Sequence, residues 1–359
     1  MKEIYQQRQS QCRSQLVEQN LDALLVLGFE NLRYLSGFSG HAAYGIITLE
    51  QNYLITDYRY AEQATKECCD FEIITRDREK ETLGACIKRH LGSTKTLGFD
   101  AAFVNVAMWQ DVCKAFSNIA TLPITGMIER QRMVKDHWEI KQTKLAAAIA
   151  DQALNELMPY FVAGATERDV ALELEYRMQK LGSEGLAFDT IMLFSQRSSL
   201  PHGIPSEQKL KQGDFITLDF GAVINGYRSD MTRSYILGEA SEKQTEVYNT
   251  VAQAQQAAIN VLKPGLSVVE AYKVAREVLN ESEYGQWAGD GLGHGLGLYL
   301  HEAPIIGPNC DYVLQPGNII TIEPGIYIPD FGGVRLEDDL LITDDGYQVL
   351  THAPKPFLI

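Results

Sequence analysis

The feature that most constrains the fold is a hairpin signal in residues 214–237, DFITLDFGAVINGYRSDMTRSYIL. Asn225 and Gly226 form the strongest short turn signal between two strands, because both central positions of such a turn need a positive φ. With these two residues at the turn, counting back along both strands fixes which side chains face each other. Asp219 then lies opposite Thr232.

The same register predicts that two carboxylates share one face of this hairpin. Asp230 falls opposite Gly221, so that Asp219 and Asp230 become diagonal neighbours roughly 7 Å apart at Cα. A bulge at Gly221 would change this separation. Two carboxylates this close repel each other unless a positive charge lies between them, and a divalent cation would supply it. The alternative is that both acids face solvent.

Two glutamates stand at strand-like segments later in the chain. Glu323 follows the apolar run NIITI and precedes Pro-Gly, and Glu337 lies within GGVRLEDDLLIT. Glu323 has apolar neighbours, which is costly unless its carboxylate is paired or coordinated. Arg335 shares the face of Glu337, whereas Asp338 points to the opposite face, toward solvent or toward a hydrogen bond outside the site.

Residues 289–304, GDGLGHGLGLYLHEAP, place glycines around two histidines. Glycine permits close backbone approach, so His294, between Gly293 and Gly295, can reach a site that bulkier residues would block. Together with the four carboxylates, His294 makes an oxygen-rich ligand set that suits Mn²⁺, Co²⁺ or Fe²⁺, with Zn²⁺ as a further candidate. Four carboxylates are generous for one ion, so the set favours two ions with bridging carboxylates.

The first third of the chain alternates strand-like and helix-like segments. Strands are predicted at residues 23–28, 44–49, 52–57 and 96–100, and helices at residues 5–18, 60–66 and 79–90. This alternation predicts a three-layer α/β domain.

A charged segment that contains a proline and a glycine, residues 122–136, is the predicted domain boundary. A long helix begins near Asp136, and its apolar stripe is predicted at Trp138, Leu145, Ile149, Leu154, Leu157 and Phe161. Further helices are predicted at 166–181, 241–262 and 267–279, and the remainder is rich in strands. The sequence therefore predicts an α/β domain over residues 1–125 and an α+β domain over residues 126–359.

The chain carries 47 acidic and 32 basic residues, a formal net charge of −15. Nucleic acids and anionic membrane surfaces repel such a protein, so neither is an expected partner. None of the six cysteines forms a Cys-x-x-Cys pair, and the N-terminal segment lacks the apolar core of a signal peptide. No apolar run has the length of a membrane span. These features predict a cytoplasmic protein with reduced thiols.

Several segments resemble the pita-bread metallopeptidases, in particular the Xaa-Pro aminopeptidase and Xaa-Pro dipeptidase (prolidase) branch. The matching segments are SSLPHG (198–203), LDFGAVINGYRSDMTR (218–233), GHGLGLYLHEAP (293–304), TIEPGIYIP (321–329) and FGGVRLEDDLLIT (331–343). NLRYLSGFSG (31–40) and YLITDYRYAEQA (53–64) resemble the N-terminal domain of that branch. The resemblance implies an α/β N-terminal domain of the creatinase/prolidase type and an α+β C-terminal pita-bread (creatinase/aminopeptidase-like) catalytic domain.

The resemblance also implies roles for individual residues. The resemblance implies two divalent metal ions, with Mn²⁺ as the first candidate. Their implied ligands are Asp219, Asp230, His294, Glu323 and Glu337. His202 and His301 match two histidines that contact the substrate and stabilise the tetrahedral intermediate. Glu323 also carries the proton from the attacking water toward the leaving nitrogen, and Arg335 matches an arginine that supports the ligands.

The activity implied by the resemblance is that of a metallo-exopeptidase acting on peptides with proline in the second position. The resemblance favours the aminopeptidase over the dipeptidase, and it implies a homodimer. A methionine-aminopeptidase-like enzyme is one alternative. A non-catalytic peptide-binding module of the same fold is another, and the presence of all five ligands argues against it.

Two positions depart from the family pattern. Ser195 stands where glycine is usual, shortly before the matching Arg197 and Ser198, and this predicts a changed backbone path near the site. Tyr299 replaces an acidic residue that is common between the two histidines. Both departures bear on substrate preference rather than on metal binding.

Overall fold

The computed structural model describes residues 1–359 and divides between Arg132 and Met133 into two units. The first unit is built on one mixed six-stranded sheet, and the second on antiparallel sheets against which long helices pack. No helix combines the length with the apolar character that a membrane crossing requires.

The sheet of the first unit is mixed and has the strand order β4-β3-β2-β1-β5-β6. Its strands are β1 (Ala23–Val26), β2 (Tyr44–Thr48), β3 (Asn52–Thr56), β4 (Glu72–Thr75), β5 (Thr96–Asp100) and β6 (Ala120–Ile124). Its helices are α1 (Lys2–Glu18), α2 (Phe29–Ser36), α3 (Ala61–Glu67), α4 (Leu83–His90), α5 (Val106–Cys113) and α6 (Met127–Met133). Strand β1 pairs antiparallel with β2 and parallel with β5.

The four strands predicted for this unit are confirmed, but the two edge strands β4 and β6 are not among the predictions. Both are short and partly exposed, so neither shows the continuous apolar run of the central strands. Strand β6 also contains Pro123, a residue that sheets tolerate at their edges because it donates no ladder hydrogen bond. Weak patterning at the edges is the reason for both omissions.

The last residue of β5, Asp100, has a buried carboxyl group. Oδ2 of Asp100 accepts hydrogen bonds from Nδ2 of Asn31 at 3.1 Å and from the main-chain N–H groups of Leu27 and Gly28 at 3.4 Å each. Burial raises the pKa of Asp100 from 3.8 to about 6, with a smaller contribution in the same direction from the charge of Glu129. The folded first unit therefore prefers this carboxyl protonated under mildly acidic conditions.

We expect Asp100 to lower the free energy of unfolding as the pH rises from about 4 to about 6. In this range the folded state keeps a proton that the unfolded carboxyl has lost, so ionisation favours unfolding. The loss should be roughly 2–3 kcal/mol. Urea unfolding at several pH values, with Asp100→Asn as the reference, measures it. If the free energy of unfolding depends on pH identically in the two proteins, Asp100 is not the group that causes the change.

The second unit contains two main antiparallel sheets, β11-β8-β7 and β13-β12-β14-β17-β18, and two short pairs, β9-β10 and β15-β16. Its strands are β7 (Ile191–Phe194), β8 (Phe215–Phe220), β9 (Val223–Ile224), β10 (Tyr227–Arg228), β11 (Met231–Ile236), β12 (Gly293–Gly295), β13 (Glu302–Ile306), β14 (Ile319–Ile322), β15 (Gly325–Ile328), β16 (Gly332–Arg335), β17 (Asp338–Ile342) and β18 (Tyr347–Val349). Its helices are α7 (His137–Leu157), α8 (Glu167–Lys180), α9 (Glu242–Val261) and α10 (Val268–Glu281).

The apolar stripe predicted for α7 is partly wrong. Leu154 and Leu157 are buried as predicted, but Leu145 is 44% exposed. The buried face is instead rich in alanine and contains Ala146, Ala147, Ala150 and Ala153. Small side chains let a helix approach its neighbours closely, and α7 packs against α8 and the β9-β10 hairpin. A search for large apolar residues therefore misses part of the buried face of this helix, which consists of alanines.

Candidate metal centre

Two of the five predicted metal ligands lie on the first main sheet of the second unit. Asp219 belongs to β8, and Asp230 directly precedes β11. Asp219 faces Thr232, as the turn at Asn225 and Gly226 predicts. The pairing of β9 with β10 keeps the same register, so no extra residue bulges between the two aspartates.

The other three predicted ligands come from the second main sheet and its flanking loops. His294 is the central residue of β12, Glu323 follows β14, and Glu337 lies between β16 and β17. Nε2 of His294 lies 3.5 Å from Oδ2 of Asp230 and 3.4 Å from Oε1 of Glu323. Ligand atoms of Asp230, His294 and Glu337 all lie within 4.8 Å of one another, so these three residues could hold one metal ion.

The glycines on either side of His294 allow its strand to fit between two others. A Cβ on Gly293 would lie 2.0 Å from the main-chain oxygen of Thr321, and a Cβ on Gly295 would lie 2.3 Å from that of Ala303. Nδ1 of His294 lies 3.0 Å from the oxygen of Gly295. A carbonyl oxygen only accepts, so Nδ1 carries the proton and the lone pair of Nε2 is free to bind a cation held among the carboxylates.

The electrostatics of this cluster call for a cation. Oδ1 of Asp219 and Oε1 of Glu337 are buried and have no hydrogen-bond partner, and Glu337 is only 1% exposed. Burial raises the pKa of Glu337 well above its usual range, and the charges of Glu323 and Asp219 add to the effect. Burial, with the charges of Glu337 and Asp219, does the same for Asp230. A divalent cation would satisfy these oxygens and cancel the repulsion, so the residues present fit a metal centre.

One cavity of about 1030 Å³ brings together every predicted site residue. Its lining includes Asp219, Asp230, His294, Glu323, Glu337, His202, His301 and Arg335. The ring of His301 packs edge-on against that of His294, with 4.4 Å between the centroids. Burial lowers the pKa of His301, and the nearby His294 and His202 contribute to the effect. The imidazole of His301 is therefore neutral near pH 7.

Comparison with known proteins identifies two segments. Residues 141–344 match metallopeptidase family M24, and residues 8–134 match the creatinase/prolidase N-terminal domain. The chain belongs to metallopeptidase family M24. The family, the fold class and the enzyme class predicted from the sequence are thereby confirmed.

Similar M24 proteins cover nearly the whole chain. An Xaa-Pro dipeptidase of Pyrococcus furiosus is 36% identical over 95% of this chain and 96% of its own length. The solved structure of an Xaa-Pro dipeptidase from Bacillus anthracis is 38% identical, has a TM-score of 0.94, and matches over 99% of this chain and 100% of its own. The X-Pro aminopeptidase structure from Thermotoga maritima is 35% identical, with a TM-score of 0.90 over 98% and 99% of the two chains.

Arg335 links two carboxylates of the M24 site. Its Nη2 donates to Oδ2 of Asp219 at 2.6 Å, and its Nε donates to Oγ1 of Thr232 at 3.0 Å. The Thr232 hydroxyl in turn donates to Oε2 of Glu337 at 2.7 Å. Nη1 donates to the hydroxyl of Tyr327 at 2.8 Å. Thr232 and Tyr327 are missing from the sequence-based site, although the register already places Thr232 beside Asp219.

We expect Arg335→Lys to weaken metal binding by about 10- to 100-fold. Lysine keeps the positive charge but lacks the fork that reaches Asp219 and Thr232 together. Calorimetric titration of the chelated protein with Mn²⁺ measures the Kd. Arg177→Lys, at a residue that does not line the cavity, is the control and should bind as the wild type does. An unchanged Kd in Arg335→Lys would show that the guanidinium does not orient the ligands.

Asp338 and Asp339 make hydrogen bonds behind the M24 site. The prediction that Asp338 reaches a hydrogen bond outside the site is confirmed, and its solvent alternative is wrong. Asp338 is buried, and its carboxylate accepts hydrogen bonds from Arg233, Gln255, Thr351 and Lys355. Oδ2 of Asp339 accepts the main-chain N–H of Asp230 at 3.0 Å, a contact between distant segments that no sequence pattern signals.

The structure describes both positions that depart from the family pattern. Ser195 adopts a φ of 55°, in the left-handed region where glycine is at ease. Serine here occupies a conformation that favours glycine, and the changed backbone path stays a prediction. Tyr299 is 49% exposed, and its main-chain N–H donates to Oε1 of Glu302 at 2.9 Å.

Proposed function

We propose that this chain is a dinuclear-metal exopeptidase that hydrolyses the bond between an N-terminal residue and a following proline. The observation that carries the proposal is the cluster of buried, unpartnered carboxylate oxygens near Nε2 of His294 in the large cavity. The names of its relatives, the Xaa-Pro dipeptidase of Pyrococcus furiosus and the X-Pro aminopeptidase of Thermotoga maritima, support the choice of substrate.

The residues that would hold the two ions are Asp219, Asp230, His294, Glu323 and Glu337. Four carboxylates and one imidazole favour a hard, oxygen-seeking ion, so we propose Mn²⁺, with Co²⁺, Fe²⁺ and Zn²⁺ as alternatives. Bound there, such ions would supply a water activated for attack and would polarise the peptide carbonyl.

Residues of the chain would move the proton and stabilise the developing charge. The side chain of Glu323 is 26% exposed, so its carboxylate can take a proton from water and pass it to the leaving nitrogen. The neutral imidazole of His301 still has one N–H to donate to an oxyanion, a contact worth about 3 kcal/mol. His202 lines the same cavity and offers a second imidazole.

The residues that line the cavity favour an aminopeptidase activity over a dipeptidase activity. Its lining includes the apolar side chains of Phe188, Ile191 and Ile305, against which a proline ring could pack. A dipeptidase must also bind the carboxylate that ends its substrate, and arginine and lysine make the strongest hydrogen bonds to a carboxylate. The one arginine in the lining, Arg335, is already hydrogen-bonded through Nε and both terminal nitrogens, and the lining contains no lysine. The dipeptidase activity of the relatives keeps that reaction as the second candidate.

The test compares hydrolysis of Xaa-Pro dipeptides with that of Xaa-Pro-Yaa-Zaa peptides by protein loaded with Mn²⁺ or Co²⁺. The proposal predicts cleavage after Xaa, with a higher kcat/KM on the longer peptides. A higher value on the dipeptides would select the dipeptidase. Peptides that begin Met-Ala serve as the control for a methionine-aminopeptidase-like activity. Failure on both proline-containing series by metal-loaded protein would contradict the proposal.

Domain bounds, oligomeric state and cellular location also belong to this proposal. The family matches over residues 8–134 and 141–344 support two domains. The bounds predicted from the sequence, residues 1–125 and 126–359, stay a prediction. A homodimer is what the family resemblance implies, and a cytoplasmic location is a prediction from the sequence. Sedimentation of the purified protein tests the first, and fractionation of cells tests the second.

A further inference from the structure

We propose that two buried glutamates, Glu167 and Glu302, are positioning residues for the two histidines of the substrate cavity. Each carboxylate joins separate points of the loop that carries one histidine, and each is paired with a cationic side chain. We call these two arrangements the glutamate clamps. The inference rests on the proposed function, because His202 and His301 act on a substrate only in that reaction.

The first clamp holds the turn that leads into His301. Glu302 directly follows that histidine, and its Oε1 accepts the N–H of Tyr299 at 2.9 Å. Its Oε2 lies 3.2 Å from Nζ of Lys135, and the two side chains are 7% and 1% exposed. A Cβ on Gly297 would lie 2.8 Å from Oε2. The turn therefore wraps around the carboxylate, and glycine is the residue that leaves room for it.

The second clamp holds the loop that carries His202. Glu167, the first residue of α8, is fully buried. Its Oε1 accepts the N–H of Phe194 at 2.8 Å, and its Oε2 accepts both N–H and Oγ–H of Ser206, at 2.8 and 2.6 Å. Nε of Arg197 lies 3.0 Å from Oε2. One carboxylate thus ties together residues that precede and follow His202.

Main-chain position matters for these histidines because no hydrogen bond fixes the direction of their side chains. The imidazoles of His202 and His301 make no hydrogen bond to the protein, and the ring contact with His294 involves His301 alone. Their direction is therefore set by the loops. A displacement of about 1 Å at a reacting group can cost about 100-fold in rate. Buried carboxylates, which accept several strong hydrogen bonds each, provide this rigidity.

The test uses Glu167→Gln and Glu302→Gln in the full-length, Mn²⁺-loaded protein. We expect kcat/KM on Xaa-Pro-Yaa-Zaa peptides to fall by about 100-fold, mostly through kcat, while the Kd for Mn²⁺ stays unchanged. Lys135→Arg, which keeps the ion pair, should retain most of the activity. Glu173→Gln is the matched control, because it removes a carboxylate paired with Arg177 on the same helix as Glu167 and should not alter kcat/KM.

Two milder variants keep the proposal testable if the glutamine variants do not fold. Ser206→Ala removes one hydrogen bond to Glu167, and Lys135→Met combined with Glu302→Gln removes both charges of the buried pair together. Ser206→Ala should lower kcat by about tenfold, and the double variant by about 100-fold as for Glu302→Gln alone, both without a change in the Kd for Mn²⁺. Wild-type kcat in folded, metal-loaded clamp variants would overturn the proposal. A parallel loss of metal affinity would also overturn it, because the glutamates would then support the whole site.

Hydrogen exchange separates failure of the clamps from failure of the proposed function. In Glu167→Gln the amides of residues 195–206 should exchange faster, while those of Met231–Ile236 keep their wild-type rates. If the wild type cleaves no proline-containing peptide, the proposed function fails, and this measurement still decides whether Glu167 holds its loop. Unchanged exchange in residues 195–206 would overturn the clamp.

Discussion

Replacing Glu337 with alanine is expected to lower kcat/KM on Xaa-Pro-Yaa-Zaa peptides by about 10³-fold or more, because the site loses stabilisation of several kcal/mol. Glu337 is buried, one of its oxygens has no partner in the protein, and the other accepts from Thr232. Alanine offers no ligand atom, and the remaining carboxylates would still repel one another. Steady-state kinetics with excess Mn²⁺ measures the loss, and elemental analysis of the same sample measures the metal content.

The control for this variant is Asp345→Ala in the exposed turn after β17. Asp345 accepts a hydrogen bond from Thr343 and takes no part in the cavity. Its kcat/KM should equal that of the wild type. An active Glu337→Ala protein with a full complement of metal would remove Glu337 from the ligand set, and with it the reason for its unpartnered oxygen.

Replacing Asp338 with alanine should lower the free energy of unfolding by about 3–5 kcal/mol. Asp338 forms a buried ion pair with Arg233, whose Nη2 lies 3.0 Å away, and it also binds Lys355. The side chain of Arg233 is fully buried, so the substitution leaves an uncompensated charge in the interior. Denaturant unfolding of the two proteins under the same conditions gives the difference.

A surface ion pair provides the matched comparison for Asp338. Arg168 and Glu207 lie 2.6 Å apart, with side chains 57% and 71% exposed. Solvent screens such a pair, so Glu207→Ala should change the free energy of unfolding by at most about 1 kcal/mol. Equal effects of the two substitutions would show that the Arg233 charge is not held by Asp338.

The hairpin that carries the two aspartates could be predicted because local rules decide it. An Asn-Gly turn determines the register, and the two-residue period of a strand then determines which side chains share a face. Asp219 lies opposite Thr232 for this reason alone. The central strands of the first unit were also predictable from local sequence, because their apolar runs are continuous.

Other features depend on contacts between distant segments, which a single sequence does not reveal. The N–H of Asp230 meets the carboxylate of Asp339 only after the two main sheets come together. The hydrogen bonds that join Thr232 to Arg335 and to Glu337 likewise connect distant segments. The alanine-rich face of α7 was missed because close packing favours small residues there, whereas periodicity arguments look for large ones. The clamps on His202 and His301 likewise join residues that the chain separates.

Metal uptake by folded protein that a chelator has stripped of metal is the most direct test of the proposed dinuclear metal centre. After removal of the chelator, the protein is titrated with Mn²⁺, and the bound ions are counted by elemental analysis beside an Asp230→Ala sample. Two bound ions, which the five ligands would share, are expected in each wild-type chain, and fewer in the variant. A wild-type protein that stays folded and takes up no transition-metal ion would contradict the proposed metal centre.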